Sequence, residues 1–548
     1  MSIPSTTTPA PLQEDRVHPR AFEPLTLVVM LLSSILGAII GIQIITTLGV
    51  TPNTAIIGVL VAIAISRIPV PALRKMRSVH RQNLVQSNIS TATFTAANSL
   101  LLPIGIPVYM GQRQLVWPML IGAAAAMVID FLMLYWLYDS KVFPGNAAWP
   151  PGLAAAEAIK AGDTGGRRAL LLGAGTVVGI GGSAIGIPMS AFGVAFIGNI
   201  VALTMFGVGL LLRGFSPQLF GVDIAKLYIP HGLMIGAGLV ALIQAVLSIV
   251  RSHQPVASDA DRPTTGVSIE DVEAETRAGV FVQKALVRGF VLYVIASIVL
   301  AVLGGLYTQM SLPRLVLWVV FAAVSCILAE FIVGLSAMHS GWFPAFATAL
   351  IFLILGILMG FPPLALALLV GFVAAGGPAF ADAGYDFKAG WILRRTESRV
   401  MELEGRRQQL FAGLVGMAVS LVVVALVHNI YFNAGQFPPI VKVFAATIKA
   451  GVDPELVKTL FLWAIPGAVL QLVGGSKRQM GILLATGTLI LNPLAGWSVL
   501  AGIVLRLIYP RVRKDKEAAD TEMTIAAAGF IAGDALWSFG SSAVKAVK

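Results

Sequence analysis

Carboxylates set inside long apolar runs are the residues of this chain best placed to do chemistry, because a charge in the hydrocarbon core of a bilayer is costly and marks function by default. Asp130 lies in WPMLIGAAAAMVIDFLMLYW, Glu330 in VSCILAEFIVGL and Asp534 in AGFIAGDALWSF. A buried carboxyl can take up and release a proton near neutral pH, so each is a candidate proton-coupling group. The competing reading is a structural contact to a neighbouring helix. Glu157, in WPPGLAAAEAIKAGD, follows the break Trp149-Pro150-Pro151-Gly152. Taken alone it reads as a helix-surface carboxylate.

A second group is polar but uncharged. Within 83–111, Ser87, Thr91, Thr95 and Asn98 recur at helical spacing, with Gln86 and Asn88 alongside. Such a stripe can hydrogen-bond a polar substrate, or it can tie helices together as Ser, Thr and Asn do in membranes. His339 and Ser340 sit in GLSAMHSGWFP, a Gly/Ser break ending in proline. An imidazole there can bind substrate or pass protons. These eight residues form the candidate substrate-binding set; Glu330, Asp534, Asp130 and Glu157 form the coupling set. His231 and His428 lie near span ends and read as structural, and Arg213 and Lys226 as interfacial anchors.

The elements that hold these residues follow from composition. The chain has 548 residues, of which 57% are hydrophobic and 12% charged, against roughly 25% charged in a soluble domain. Mean hydropathy is +0.85. This excludes a soluble globule and a disordered chain. Apolar stretches of about 20 residues imply membrane helices rather than barrel strands. The expected fold is an all-α, polytopic membrane protein whose main partner is the lipid bilayer. The single cysteine, Cys326, excludes an intrachain disulfide and a cysteine-based metal site. No Walker motif, HExxH or nucleophile elbow is present, so neither an ATPase nor an enzyme site is expected, and no cofactor or metal. The net charge of +11 is explained by basic cytoplasmic loops and needs no nucleic acid.

Residues 1–24 read as a disordered tail. Apolar runs follow near 25–47, 54–73, 83–111, 115–138, 168–189, 190–212 and 228–250. A hydrophilic stretch, 251–284, separates these from runs near 286–308, 315–337, 343–360, 362–380, 409–430, 457–474, 479–509 and 523–541. The chain thus divides into membrane halves 25–250 and 285–548 joined by a linker. Asn492-Pro493 should break 479–509 into a hairpin. Basic clusters at Arg67 to Arg81, Lys388 to Arg407, Lys477-Arg478 and Arg511 to Lys516 belong in the cytoplasm by the positive-inside rule, which puts the N-terminus there too. Nine runs between the first two clusters cannot return the chain to one side, so one run must be re-entrant or cross twice. The prolines Pro103 and Pro107 and the polar load of 83–111 point to that segment and make it the expected substrate path. HRQNL (His80 to Leu84) matches RRQQL (Arg406 to Leu410), and AIKAG (Ala158 to Gly162) matches TIKAG (Thr447 to Gly451), as a duplicated transporter would show. GIGGSAIG (Gly179 to Gly186) lies inside an apolar run and reads as close helix packing.

Several of these segments together resemble the oligopeptide transporter (OPT) family, in particular its bacterial and yellow-stripe-like branch. NLVQSNISTATFTAANSLLLPIGIPVYMG (Asn83 to Gly111) is similar to the family's polar first-half segment, and WPPGLAAAEAIKAGD to its Pro-Gly-x-Ala-x-Ala-Glu signature. GLSAMHSGWFPAFATALI resembles its Gly/Ser-rich stretch, YDFKAG (Tyr385 to Gly390) its Asp-x-Lys-x-Gly loop, and GFIAGD (Gly529 to Asp534) its closing pattern. The resemblance covers nearly the whole chain. It implies about 16 helices in two related halves, proton-coupled import of peptides or metal chelates, and added weight for Glu157, Asp386, Lys388 and Asp534. Phe343 stands where the family often has asparagine, and the NPG motif of the eukaryotic peptide carriers is absent, which leaves the substrate open. The expected activity is proton-coupled import of small peptides or peptide-like compounds across the plasma membrane, with import of metal–chelate complexes as the alternative. A membrane enzyme or channel is disfavoured, because a channel should show uninterrupted pore helices with charged rings.

Overall fold

The computed structural model describes residues 18–48, 58–59, 61–63, 65, 68–164, 166–251, 269–341, 343–451, 454–513 and 516–547. The expected tail before residue 18, parts of the second apolar run, Arg67 and Lys514 of the basic clusters, and 252–268 of the hydrophilic stretch lie outside the described residues. The first helices are α1 (Pro24–Leu48), α2 (Val79–Tyr109), α3 (Val116–Leu137) and α4 (Pro150–Thr164). Then come α5 (Gly166–Ala184), α6 (Met189–Val194), α7 (Ile200–Phe220), α8 (Ile229–Arg251) and α9 (Ile269–Leu303). After these follow α10 (Leu312–Ser340), α11 (Ala345–Leu358), α12 (Pro363–Arg394), α13 (Arg399–Asn433) and α14 (Pro439–Ala450). The last are α15 (Pro454–Arg478), α16 (Met480–Leu489), α17 (Pro493–Arg513) and α18 (Lys516–Val547). Ten stretches among the described residues are long and apolar enough to cross a bilayer, with four shorter apolar helices beside them. The all-α polytopic architecture is as composition requires; the count of 16 is not reached among these spans.

Segment 83–111 is not a re-entrant loop. All of it but Met110 and Gly111 lies within the continuous helix α2, which contains a π-helical stretch at Thr95–Leu101, and the Leu102 N–H donates to the Ala97 carbonyl five residues back. The wider turn shifts the backbone register just before Pro103, where an α-helix would otherwise meet the proline ring with a carbonyl. A short helix, α11, follows α10. The chain reverses at Gly341 (φ 72°), and α11 has 14 residues, about 21 Å, too short for a hydrocarbon core of about 30 Å. Arg314, at the start of α10, donates to the Gly360 carbonyl just after α11. The hairpin therefore begins and ends at one side, so it adds no net crossing and leaves the parity of the nine runs unchanged.

Two further boundaries move. The run 362–380 continues as α12 to Arg394, so YDFKAG is buried helix rather than loop. Asp382, Asp386 and Arg394 are matched by polar groups on α2 and α13, and Lys388 by the Gly145 carbonyl, and the drop in hydropathy is not a helix end. Helix α9 begins at Ile269, inside the hydrophilic stretch. The break at Asn492-Pro493 is as expected: Asn492 Oδ1 accepts from the Ala495 N–H at 3.0 Å, capping α17.

Helices α2 and α12 form the centre. Residues 82–108 and 365–390 are buried throughout. Around them, close pairs join helices from before and after the hydrophilic stretch. A Cβ on Gly179 of α5 would lie 2.7 Å from the Phe530 carbonyl oxygen of α18, and one on Gly232 of α8 2.7 Å from that of Leu460 on α15. Small residues permit this approach.

Candidate functional site

The polar stripe of α2 faces α12 and α13. Gln86 Nε2 donates to Asp386 Oδ1 at 2.6 Å, and Thr91 Oγ1 to Asp386 Oδ2 at 3.2 Å. Ser90 Oγ donates to Asp382 Oδ1 at 2.7 Å. From α13, Gln409 Nε2 donates to Ser87 Oγ (2.9 Å) and to the Asp386 carbonyl (2.7 Å). Thr95 Oγ1 donates to Ser420 Oγ at 2.9 Å, and Asn88 Nδ2 to the Ala412 carbonyl at 2.9 Å. Asn98 Nδ2 reaches the Phe94 carbonyl at 3.3 Å. Both aspartates are buried, and Asp382 Oδ2, Asn88 Oδ1 and Ser99 Oγ have no hydrogen-bond partner. The helical periodicity that marked the stripe places most of it against α12 and α13.

Cations cap this network at its basic end. Arg394, fully buried, donates to Asn83 Oδ1 (3.0 Å) and Gln409 Oε1 (2.6 Å). The glycines Gly390 and Gly405 leave the room it fills. Lys388 Nζ donates to the Gly145 carbonyl at 2.9 Å and lies over the Trp391 ring. Beyond them, Arg406 pairs with Glu402 at 2.7 Å, and Arg399 with Asp139 at 2.5 Å. The His18 ring packs against that of His80, centroids 5.0 Å apart and planes tilted by 45°. Burial, reinforced by the charge of Arg394, pushes His18 down to about 3.

The four coupling candidates separate into different settings. Asp130 of α3 and Glu330 of α10 meet at one point, the hydroxyl of Tyr293 on α9. Asp534 of α18 accepts from Ser183 Oγ (2.5 Å) and the Ser190 N–H (3.0 Å), pinning the turn between α5 and α6. Glu157 of α4 lies 3.6 Å from Lys160 Nζ. His339 and Ser340 end α10 beside Gly341, whose carbonyl accepts from the Tyr385 hydroxyl of α12 at 2.9 Å. Ser340 Oγ donates to the Ser336 carbonyl (2.8 Å), and His339 Nε2 is buried without a partner. This end of α10 adjoins the Trp149 break, since the Trp149 N–H donates to the Met338 carbonyl at 2.9 Å.

Sequence reading passed over Asp382, Arg394, Gln409, Ser420 and Tyr293. Asp382 and Asp386 stand four apart with no helix breaker between them, a one-face spacing that was available. Tyr293 gave no signal, since a tyrosine in an apolar run is ordinary.

Two comparisons bear on identity. A family model described as OPT oligopeptide transporter protein matches residues 24–226 and 221–545. No curated protein matches the chain.

Proposed function

The chain belongs to the OPT oligopeptide transporter family, whose members move oligopeptides or related substrates across membranes, and on that premise we propose that it is a proton-coupled importer of small peptides whose path runs between α2, α12 and α13. The observation that carries this reading is the pair Asp382 and Asp386, buried against Ser90, Gln86 and Thr91. Buried carboxylates suit a substrate ammonium group, and Arg394 suits a carboxylate. Asp386 and Arg394 are eight residues apart on α12, about 12 Å along a helix axis. An extended tetrapeptide, at about 3.3 Å per residue, has a similar reach. Coupling is assigned to Glu330 and Asp130, with Asp534 and Glu157 as further candidates, and the basic ends of the helices to the cytoplasmic side of the plasma membrane.

The test is uptake of labelled di- to pentapeptides by proteoliposomes with and without an imposed pH gradient. The expected result is gradient-driven accumulation that Glu330→Gln abolishes. Asp534→Asn, by the contacts above, should alter folding of the α5–α6 turn more than coupling. Peptide uptake that ignores the gradient would sink the proton coupling. Iron–siderophore uptake with peptides inert would replace the substrate class.

A further inference from the structure

Tyr293 sits with its ring edge-on to Phe372 of α12, centroids 6.1 Å apart. Its hydroxyl meets Asp130 Oδ1 and Glu330 Oε1 together. All three side chains are buried. The second oxygens, Asp130 Oδ2 and Glu330 Oε2, have no hydrogen-bond partner, and neither does Ser325 Oγ on α10. Among the described residues, Cys326 of α10 and the α12 backbone at Gly376 also face Asp130. Among the described residues, no Lys, Arg or His forms an ion pair with either acid.

A phenol carries one hydrogen and can donate to one acceptor at a time. Two ionised carboxylates around one hydroxyl therefore leave one oxygen–oxygen contact without a hydrogen. They also leave two negative charges in a buried site with no cation, which desolvation strongly opposes.

We propose that Asp130, Tyr293 and Glu330 form a single proton-holding unit, that the proton it shares is the coupling proton, and that Tyr293 is the positioning residue joining the two acids. This rests on the proton-coupled reading above. In the loaded unit one carboxyl O–H donates to Tyr293 Oη, and the Tyr293 O–H donates to the other carboxylate. Two contacts then have two hydrogens, and the net charge is −1. When the proton leaves to water, one hydrogen remains between two carboxylates, the charge becomes −2, and the contact opens.

Helix α12 links this unit to the substrate path. Gly376 lies against Asp130, where any Cβ would collide with its carboxyl. Pro378 follows two residues later and withdraws the N–H that would otherwise hold the Ala374 carbonyl, so α12 bends most easily here. Asp382 is six residues beyond Gly376, about 9 Å along the axis. Opening at Asp130 is felt first at this weak point and then at the Asp382 and Asp386 carboxylates.

The experiment is infrared difference spectroscopy of the purified full-length protein in lipid, in H2O and D2O, with the proton as probe. At neutral pH the wild type should show the C=O stretch of a protonated buried carboxyl. Tyr293→Phe keeps the ring against Phe372 and should shift that band. The double variant Asp130→Asn/Glu330→Gln should lack the component that Tyr293→Phe shifts, whatever the buried Asp382 and Asp386 contribute. A wild type without the band, or a Tyr293-sensitive component that persists in the double variant, overturns the proposal. In proteoliposomes, Tyr293→Phe should lose gradient-driven uptake of labelled tetra-alanine by on the order of tenfold while keeping counterflow. Wild-type uptake that ignores the gradient sinks the coupled-transport reading. A Tyr293→Phe protein with full gradient dependence beside a coupled wild type sinks this inference alone.

Discussion

Asp386 accepts from Gln86 and Thr91, and its own carbonyl from Gln409, so substitution there acts on folding and on transport in separable ways. Asp386→Leu strands a buried amide and a hydroxyl and should cost about 2–3 kcal/mol, read as a fall in melting temperature. Asp386→Asn keeps an acceptor for Gln86; it should fold, and yet lose peptide uptake. Uptake at the wild-type level in a folded Asp386→Asn protein would remove the aspartate from the path. His18 gives a pH prediction. Its folded value, about 3, lies below the ordinary 6.5, so between these the unfolded chain holds a proton that the folded protein does not. Stability is full above 6.5 and falls as pH drops toward 3, by up to about 1.4 kcal/mol per pH unit. His18→Gln should flatten that acid limb of the melting curve. An unchanged slope would show that another group sets it.

At the scale of elements, the glycines of α5 make a matched experiment. Gly179 has the Phe530 carbonyl 2.7 Å from where a Cβ would stand, whereas nothing lies within 4 Å of that position at Gly173. Alanine favours helix over glycine by about 1 kcal/mol. Gly173→Ala should therefore stabilise slightly, and Gly179→Ala should destabilise by about 1–3 kcal/mol through overpacking. Equal melting temperatures for the two would mean that the α5–α18 contact is looser than it stands here. Sequence rules erred on elements where they equated polarity or proline with a break. The drop in hydropathy after residue 380 is not the end of α12, because α2 and α13 supply partners for Asp382, Asp386 and Arg394. Pro103 does not interrupt α2, because the π-helical stretch precedes it.

At the scale of the whole molecule, the chain is not two bodies side by side. Helix α5 meets α18, and α8 meets α15, each pair drawing one member from either side of residues 252–268. A chain split between Ser258 and Asp259 should yield fragments that copurify when expressed together and that are unstable apart, as measured by size-exclusion profile. Either fragment monodisperse by itself would contradict this interlocking. The basic ends gather the Arg399–Asp139 and Arg406–Glu402 pairs, which close that face with charge.

Composition and periodicity by themselves determined the membrane setting, the helical class, the polar stripe of α2 and the broken hairpin at Asn492-Pro493. Each follows from a local quantity: apolar length, residue spacing or a proline. Which acids share a site was decided only by tertiary structure. Asp130, Tyr293 and Glu330 stand 163 and 37 residues apart along the chain, on three helices. Each one alone looks like any isolated polar residue in an apolar run. Whether a carboxyl in an apolar run is pinned, as Asp534 is by Ser183, or meets a second acid across a tyrosine, as Asp130 and Glu330 do, depends on what the other helices bring to it, and that is a property of packing.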